Sequence, residues 1–469
     1  MDARTGSGTG LNFWAAQRSV NAPAPININD STGKDVGAKD QNATSLSAVS
    51  FPLGVFLVGQ FLLFCGVGAL IPALPLYGKY IGLGDTVTGV VISAPAVAML
   101  LLNYSAGRSS DTYGRKPNIV GGMLGIAAAD AVTAMATSLP VIIVARFALG
   151  AGRAYAEAGE RAFLTDLTAR VPGNRGRIVG AYQAVVAVGF VVGPKIGGVL
   201  VENYGPASPF GAVALASGIA AVGYAWLIPE TLGNADLPSS ASMSRGSSAG
   251  SWTKLLRQPS QRAIAAAALA NGIGRVAKVV AVPLFATDVL GASPDELGTL
   301  FSLWSLGGLV AVGSSGLVVD RLKNVSSDPA DAARIVICLS QLGSAAGFFL
   351  AVQTHSLQSF AFATGLWSIG FGAAAPALET FTQSRAPPSA TAEALALPKS
   401  IGDLVFIIGP ASLGFANTLV PGGGMLVSAF VSVAASVAFW INSGGGTMGG
   451  SSTSVVSSSS SSSSDPSET

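Results

Sequence analysis

The chain has 469 residues; half are hydrophobic and only 11% carry charge, where soluble globular chains carry about 25%. A net charge of +2 gives no sign of a polyanionic partner, and one histidine (His355) with two distant cysteines (Cys65 and Cys338) excludes a disulfide framework, a Cys- or His-rich metal site and histidine-assisted nucleophilic catalysis. A mean hydropathy of +0.55 with 59 glycines and 25 prolines suits an all-α polytopic membrane protein, since transmembrane helices accept both residues freely.

Residues 1–50 are polar and rich in Gly, Ser, Asn and Asp. They read as a disordered cytoplasmic tail in preference to an organelle-targeting remnant. No cleavable secretory signal is expected, because the first apolar run leads into further runs and not into a mature domain. Apolar segments near bilayer-spanning length, about 20 residues, recur near 51–76, 86–106, 117–137, 139–163, 178–200 and 208–228. A Ser/Gly-rich linker with Trp252 and several basic residues occupies 230–261. Six more segments fall near 262–284, 296–318, 333–352, 357–380, 394–419 and 424–442, and 443–469 is low-complexity Ser/Gly sequence expected to be disordered. The expected organisation is a six-helix bundle over 51–229, a cytoplasmic linker, and a second six-helix bundle over 262–442.

Basic residues set the orientation. Loops after even-numbered segments hold fourteen, from Arg108 through Arg385, and loops after odd-numbered segments hold only Lys79. By the positive-inside rule both termini are expected in the cytoplasm.

Two features repeat between the halves. Gly107 and Asp111, followed by Gly114, Arg115 and Lys116, are matched by Gly316, Asp320 and Arg321, the two aspartates lying 209 positions apart. Gly193–Pro194 in the fifth segment is matched by Gly409–Pro410 in the eleventh, 216 positions on. Nearly equal offsets imply two related halves in parallel arrangement. With GVGALIPALP at 66–75, RFALGAG at 146–152 and GFVVGPKIGG at 189–198, the chain resembles the major facilitator superfamily over roughly 51–442, most closely its 12-helix drug/proton antiporter branch. The resemblance implies twelve transmembrane helices in two six-helix bundles related by a pseudo-two-fold axis. It also implies alternating access, and a gating role for the Asp111–Arg115 loop and its Asp320 counterpart.

Physical chemistry gives each motif a reading of its own. Asp111 can bond the N-terminal amides of a neighbouring helix while Arg115 and Lys116 pair elsewhere, making a releasable latch; a topology-setting charge cluster is the alternative. Gly189, Gly193, Gly197 and Gly198 have the small-xxx-small spacing of close helix approach. Pro194 interrupts the backbone ladder. Within the family this glycine–proline pattern points towards export, and plain packing explains the residues equally well. Lys195 is unusual inside such a motif.

In the fourth segment Arg146, Gly150, Arg153, Glu157 and Glu160 fall on one helical stripe, with Arg161 four beyond Glu157. Charges at bilayer depth face a cavity or one another, so this is either a substrate- or proton-handling face or a structural ion ladder. Asp130, Lys195, Arg275, Lys278, Lys399, Asp403 and Glu379 are the other charges within spans. Proton coupling needs a desolvated carboxylate with a nearby cation, and Glu157 and Asp130 are the expected carriers. Arg153, Lys195, Arg275 and Lys278 are candidates to neutralise an anionic substrate. Trp304, Trp367 and Phe371 are either pocket-lining or core. IPETLG at 228–233 is a weak sugar-carrier resemblance.

The expected function is secondary transport by alternating access, with proton-coupled export of a small organic solute ahead of uptake or facilitated diffusion of an organic anion or sugar. A non-transporting receptor or scaffold is the rival of another class. No metal or organic cofactor is called for, the proton gradient being the expected energy source. No ATP-binding loop occurs. The expected partners are a small solute, protons and the bilayer, with no nucleic acid, and the expected state is a monomer in a plasma or organelle membrane.

Overall fold

A computed structural model of the chain describes residues 38–232, 254–323, 329–387 and 390–444; Trp252 and most of both tails lie outside them. By contacts the chain divides into 1–44 and 45–469, and the second unit is the membrane body. Its helices are α1 (Val49–Tyr80), α2 (Asp85–Tyr113), α3 (Arg115–Met135), α4 (Leu139–Arg170), α5 (Arg175–Tyr204) and α6 (Ser208–Leu227) in the first half. The second half contains α7 (Pro259–Asp288), α8 (Pro294–Lys323), α9 (Pro329–Val352), α10 (Leu357–Ser384), α11 (Thr391–Leu419) and α12 (Gly423–Ser443). All twelve are long and apolar enough to cross a bilayer, and helices satisfy their own backbone groups in lipid. Exposed aromatics sit near helix ends, among them Tyr80, Tyr204, Tyr113 and Trp226, where amphipathic rings meet the headgroup region.

Two local features differ from expectation. The Gly107–Lys116 motif is not a loop: α2 runs to Tyr113 and α3 starts at Arg115, leaving Gly114 alone between them at φ +116°. Gly316–Lys323 is likewise the last turns of α8. The seventh span breaks at Val280 into Pro259–Val279 and Ala281–Asp288. Pro283 supplies no N–H to the carbonyl of Val279, so the α ladder fails there.

Each half can be followed from the end where the α2–α3 and α8–α9 connections lie, termed the basic end. Apolar packing there is split in two. One cluster belongs wholly to the first half (Phe56, Leu63, Ile119, Phe163, Tyr224), and the other wholly to the second (Ile264, Ala333, Ile337, Phe381, Phe439). At the opposite end a single cluster joins both halves, from Tyr77, Ile92 and Phe210 to Phe285, Phe301 and Leu413. The halves are therefore sealed at one end and separate towards the other.

Candidate functional site

Glycines make the seal. A Cβ at Gly89 of α2 would strike the Pro410 carbonyl of α11, and one at Gly414 would strike that of Asp85. Across α5 and α8, a Cβ at Gly198 would strike the Pro294 carbonyl and one at Gly298 that of Pro194. Gly193 and Gly197 meet α1 in the same way, at the carbonyls of Cys65 and Ala69. The small-residue spacing of α5 is thus used twice, against α1 and against the other half.

Polar bonds cross the same seam. Lys195 Nζ donates to both Asp295 oxygens at 2.5 and 2.7 Å and to Thr299 Oγ1 at 3.0 Å. Asn417 Nδ2 donates to Asp85 Oδ2 at 2.8 Å, and Lys79 pairs with Asp288. Half-exposed ion pairs contribute about 0–1 kcal/mol each, so close backbone packing, not charge, carries most of the seal. Lys195, expected among substrate or proton groups, lies in this seam.

At the basic end the latch has more members than the sequence indicated. Arg115 is buried; its Nη1 donates to Asp111 Oδ1 and to the Ser110 carbonyl, both at 2.8 Å, and its Nε to Asp166 Oδ2 at 3.3 Å. Asp166 also accepts from Thr231 Oγ1 at 2.6 Å. Asp111 was expected to cap a helix N-terminus, but Glu230 does so: its carboxylate accepts from the amides of Arg115 and Lys116 at 2.9 and 3.1 Å and of Thr231 and Leu232 at 2.8 Å. Gly114 allows this, since its φ is positive and a Cβ would strike Glu230. Gly107 has nothing within 4 Å of a built Cβ, and neither has Gly316. Arg321 is exposed, and the side chain of Asp320 lies outside the described set.

The α4 stripe separates into two sites. Arg146 is buried near the sealed end, where its Nη2 donates to Asp130 Oδ1 of α3 at 2.5 Å and its guanidinium lies 5.1 Å from the Phe210 ring. Midway along the helix Arg153 lies over Phe64 of α1 at 5.1 Å, and Glu157 pairs with Arg161. Glu160 is 3% exposed, sits beside Gln60 and Arg153, and its Oε1 has no hydrogen-bond partner. Gln60 in turn donates to Tyr224 Oη, which donates to the Phe56 carbonyl at 3.0 Å. A Cβ at Gly59 would overlap the Tyr224 ring, so that glycine makes the arrangement possible. Gln60, on an apolar helix with no charged neighbour in sequence, gave no signal in advance.

In the second half Arg275 lies exposed against Gly402 of α11, and Lys278 Nζ donates to Ser305 Oγ at 3.2 Å. Asp403 is paired with Lys399 at 2.8 Å. Trp304 and Trp367 are core residues, 3% and 1% exposed and edge-on to each other, while Phe371 is half-buried beside Trp367. Glu379 is exposed at the basic end of α10, and His355 lies exposed in the α9–α10 turn.

Comparison with known proteins agrees with this architecture. The sequence profile of the Major Facilitator Superfamily matches residues 56–410. Multidrug resistance protein 2 of Bacillus subtilis is 28% identical over 178 residues, 38% of this chain and 44% of that protein. Quinolone resistance protein NorA of Staphylococcus aureus is 27% identical over 143 residues, 30% and 36% respectively. The matched part thus spans less than half the length of these curated relatives. Among solved structures, a bacterial homologue of the human lysosomal transporter Spinster, inward-facing and unoccupied, superposes with a TM-score of 0.67 at 14% identity, covering 87% of this chain and 98% of that one. The nucleoside transporter NupG gives 0.65 at 13% identity, over 83% and 98%.

Proposed function

The chain belongs to the Major Facilitator Superfamily of multi-pass membrane transporters, and from that premise we propose that it exports a small organic solute in exchange for protons, with Glu160 as the proton carrier. The observation that carries this reading is a carboxylate 3% exposed at mid-span with one oxygen unpartnered and a cation beside it. Burial penalises the charge of such a group and Arg153 offsets the penalty. A small displacement of Arg153 as the halves rock therefore decides whether a proton is held. Asp130 is locked to Arg146 and Glu157 is paired with Arg161, so both expected carriers yield to Glu160.

Support for export comes from the matched relatives, which are named for drug resistance, and from the glycine–proline pattern on α5. Orientation follows from the basic residues: with the basic end in the cytoplasm, the halves part towards the cytoplasm and seal outside. On this reading solute enters from inside, and the Arg115–Asp111–Asp166–Glu230 network, which ties α2, α3, α4 and the segment after α6 within the first half, holds the face that meets the second half when the cytoplasmic end closes.

Purified protein in vesicles tests the coupling. A pH gradient alone drives solute movement in the native protein, and Glu160→Gln abolishes gradient dependence while leaving exchange of solute for solute intact. Gradient-driven movement that survives in Glu160→Gln refutes the assignment.

A further inference from the structure

Resting on the transport reading, we propose that the solute is an amphipathic organic anion whose oxyanion group binds between Arg275 and Lys278. Both residues lie on one arc of α7, with Asn271 one turn before them, at spacings of 4 and 3. That arc lies opposite the buried Ile273, Ala277 and Val280. Its borders are fixed by packing: Gly272 and Val276 meet Val405 and Gly409 of α11, and Gly274 meets Trp367 and Phe371 of α10. Arg275 is nevertheless exposed and Lys278 half-exposed. Cations at mid-span turn to water and not to hydrocarbon, so the arc faces the cleft between the halves.

Charge accounting then favours an anion. Among the described residues neither Arg275 nor Lys278 forms an ion pair. Asp403 acts on Arg275 electrostatically but bonds Lys399. Of the other charged groups described above in the spans, Asp130, Arg146, Glu157, Lys195, Lys399 and Asp403 sit in ion pairs and Glu160 lies beside Arg153. Two cations without an ion-pair partner therefore stand on the same helix face.

A second observation points the same way. Trp367 is 1% exposed and its Nε1 has no acceptor, although it lies against Gly274, immediately before Arg275. A guanidinium fork, an ammonium and an indole N–H are all donors, and a carboxylate or phosphate is an acceptor suited to each of them. Phe371 and Phe301, the latter 5.9 Å from the Lys278 ammonium, supply an apolar flank for the body of the molecule. The helix break at Val280 two residues on gives this segment room to adjust.

Four probes with one ring system separate the possibilities: naphthoate, naphthyl phosphate, naphthylmethanol and naphthylmethylammonium, with binding to the full chain measured by equilibrium dialysis. One or both anions bind more tightly than the neutral and cationic probes, and the better anion identifies the oxyanion class. Arg275→Gln/Lys278→Gln weakens that anion about tenfold or more, as expected for charged hydrogen bonds, while Arg275→Lys restores part of the loss. Unchanged thermal unfolding of both variants excludes misfolding; if the double variant misfolds, Arg275→Lys against native protein serves instead and must still lower anion affinity. Equal binding of all four probes, tighter binding of the cation, no anion binding, or an anion affinity indifferent to these substitutions overturns the proposal. Anion binding that depends on Arg275, without movement of the anion in vesicles, retains the subsite and removes the transport reading instead.

Discussion

Gly114 is the residue on which the network at the basic end turns. Its positive φ and the Glu230 carboxylate against it leave no place for a side chain, and strained backbone of this kind costs about 1–3 kcal/mol. Gly114→Ala is therefore expected to destabilise by that amount in thermal unfolding and to displace Glu230; an unchanged midpoint contradicts the packing. Glu230→Gln is expected to slow turnover with substrate affinity retained, because it removes charge from four amide bonds without touching the cleft; loss of affinity alone removes the latch reading. The buried Asp130–Arg146 pair belongs to a different class. Removing one partner of such a pair costs about 3–5 kcal/mol, so Asp130→Ala is expected to lower stability by that order, whereas Glu160→Gln is expected to change coupling and not stability.

These distinctions were only partly legible in sequence. The α4 stripe announced itself by spacing, and so did Arg115 and Lys116. What spacing could not supply was the partner: Glu230 lies 115 positions from Arg115 and Gln60 164 from Tyr224, and such pairs exist only once α1, α3 and α6 pack. Asp130 suited proton transfer because it lies deep within its span, and a buried arginine from the next helix gives it a partner. Trp304 and Trp367 had the same ambiguity, resolved by packing into the core cluster that joins the halves at the sealed end.

At the scale of elements, hydropathy placed all twelve helices, since a bilayer span is a property of one continuous segment. Ends were less legible: α2 continues through a motif rich in Gly, Ser and Asp because helix is the only way to satisfy that backbone near lipid. The break in α7 needed Pro283 to be weighed inside an apolar run. Element packing also yields a prediction. Gly298→Val cannot fit against the Pro194 carbonyl, so the α5–α8 seam opens. A cysteine at Ser302, now bonded to the Lys195 amide, should then react faster with a maleimide that cannot cross the membrane, added from outside; an unchanged rate contradicts the glycine seal.

The membrane body is two helical halves joined at one end by glycine contacts and parted at the other. Alternating access requires a second arrangement joined at the other end, in which α5 and α8, touching through Gly198 and Gly298 at the sealed end, approach at their basic ends. Arg177 and Arg321 are exposed there and suit nitroxide labels once Cys65 and Cys338, both free, are replaced. Pulsed electron resonance between labels at these two positions measures the swing directly. Alternating access predicts a long distance in the unliganded protein and a shorter population that grows with added solute; one distance, unmoved by solute, contradicts it.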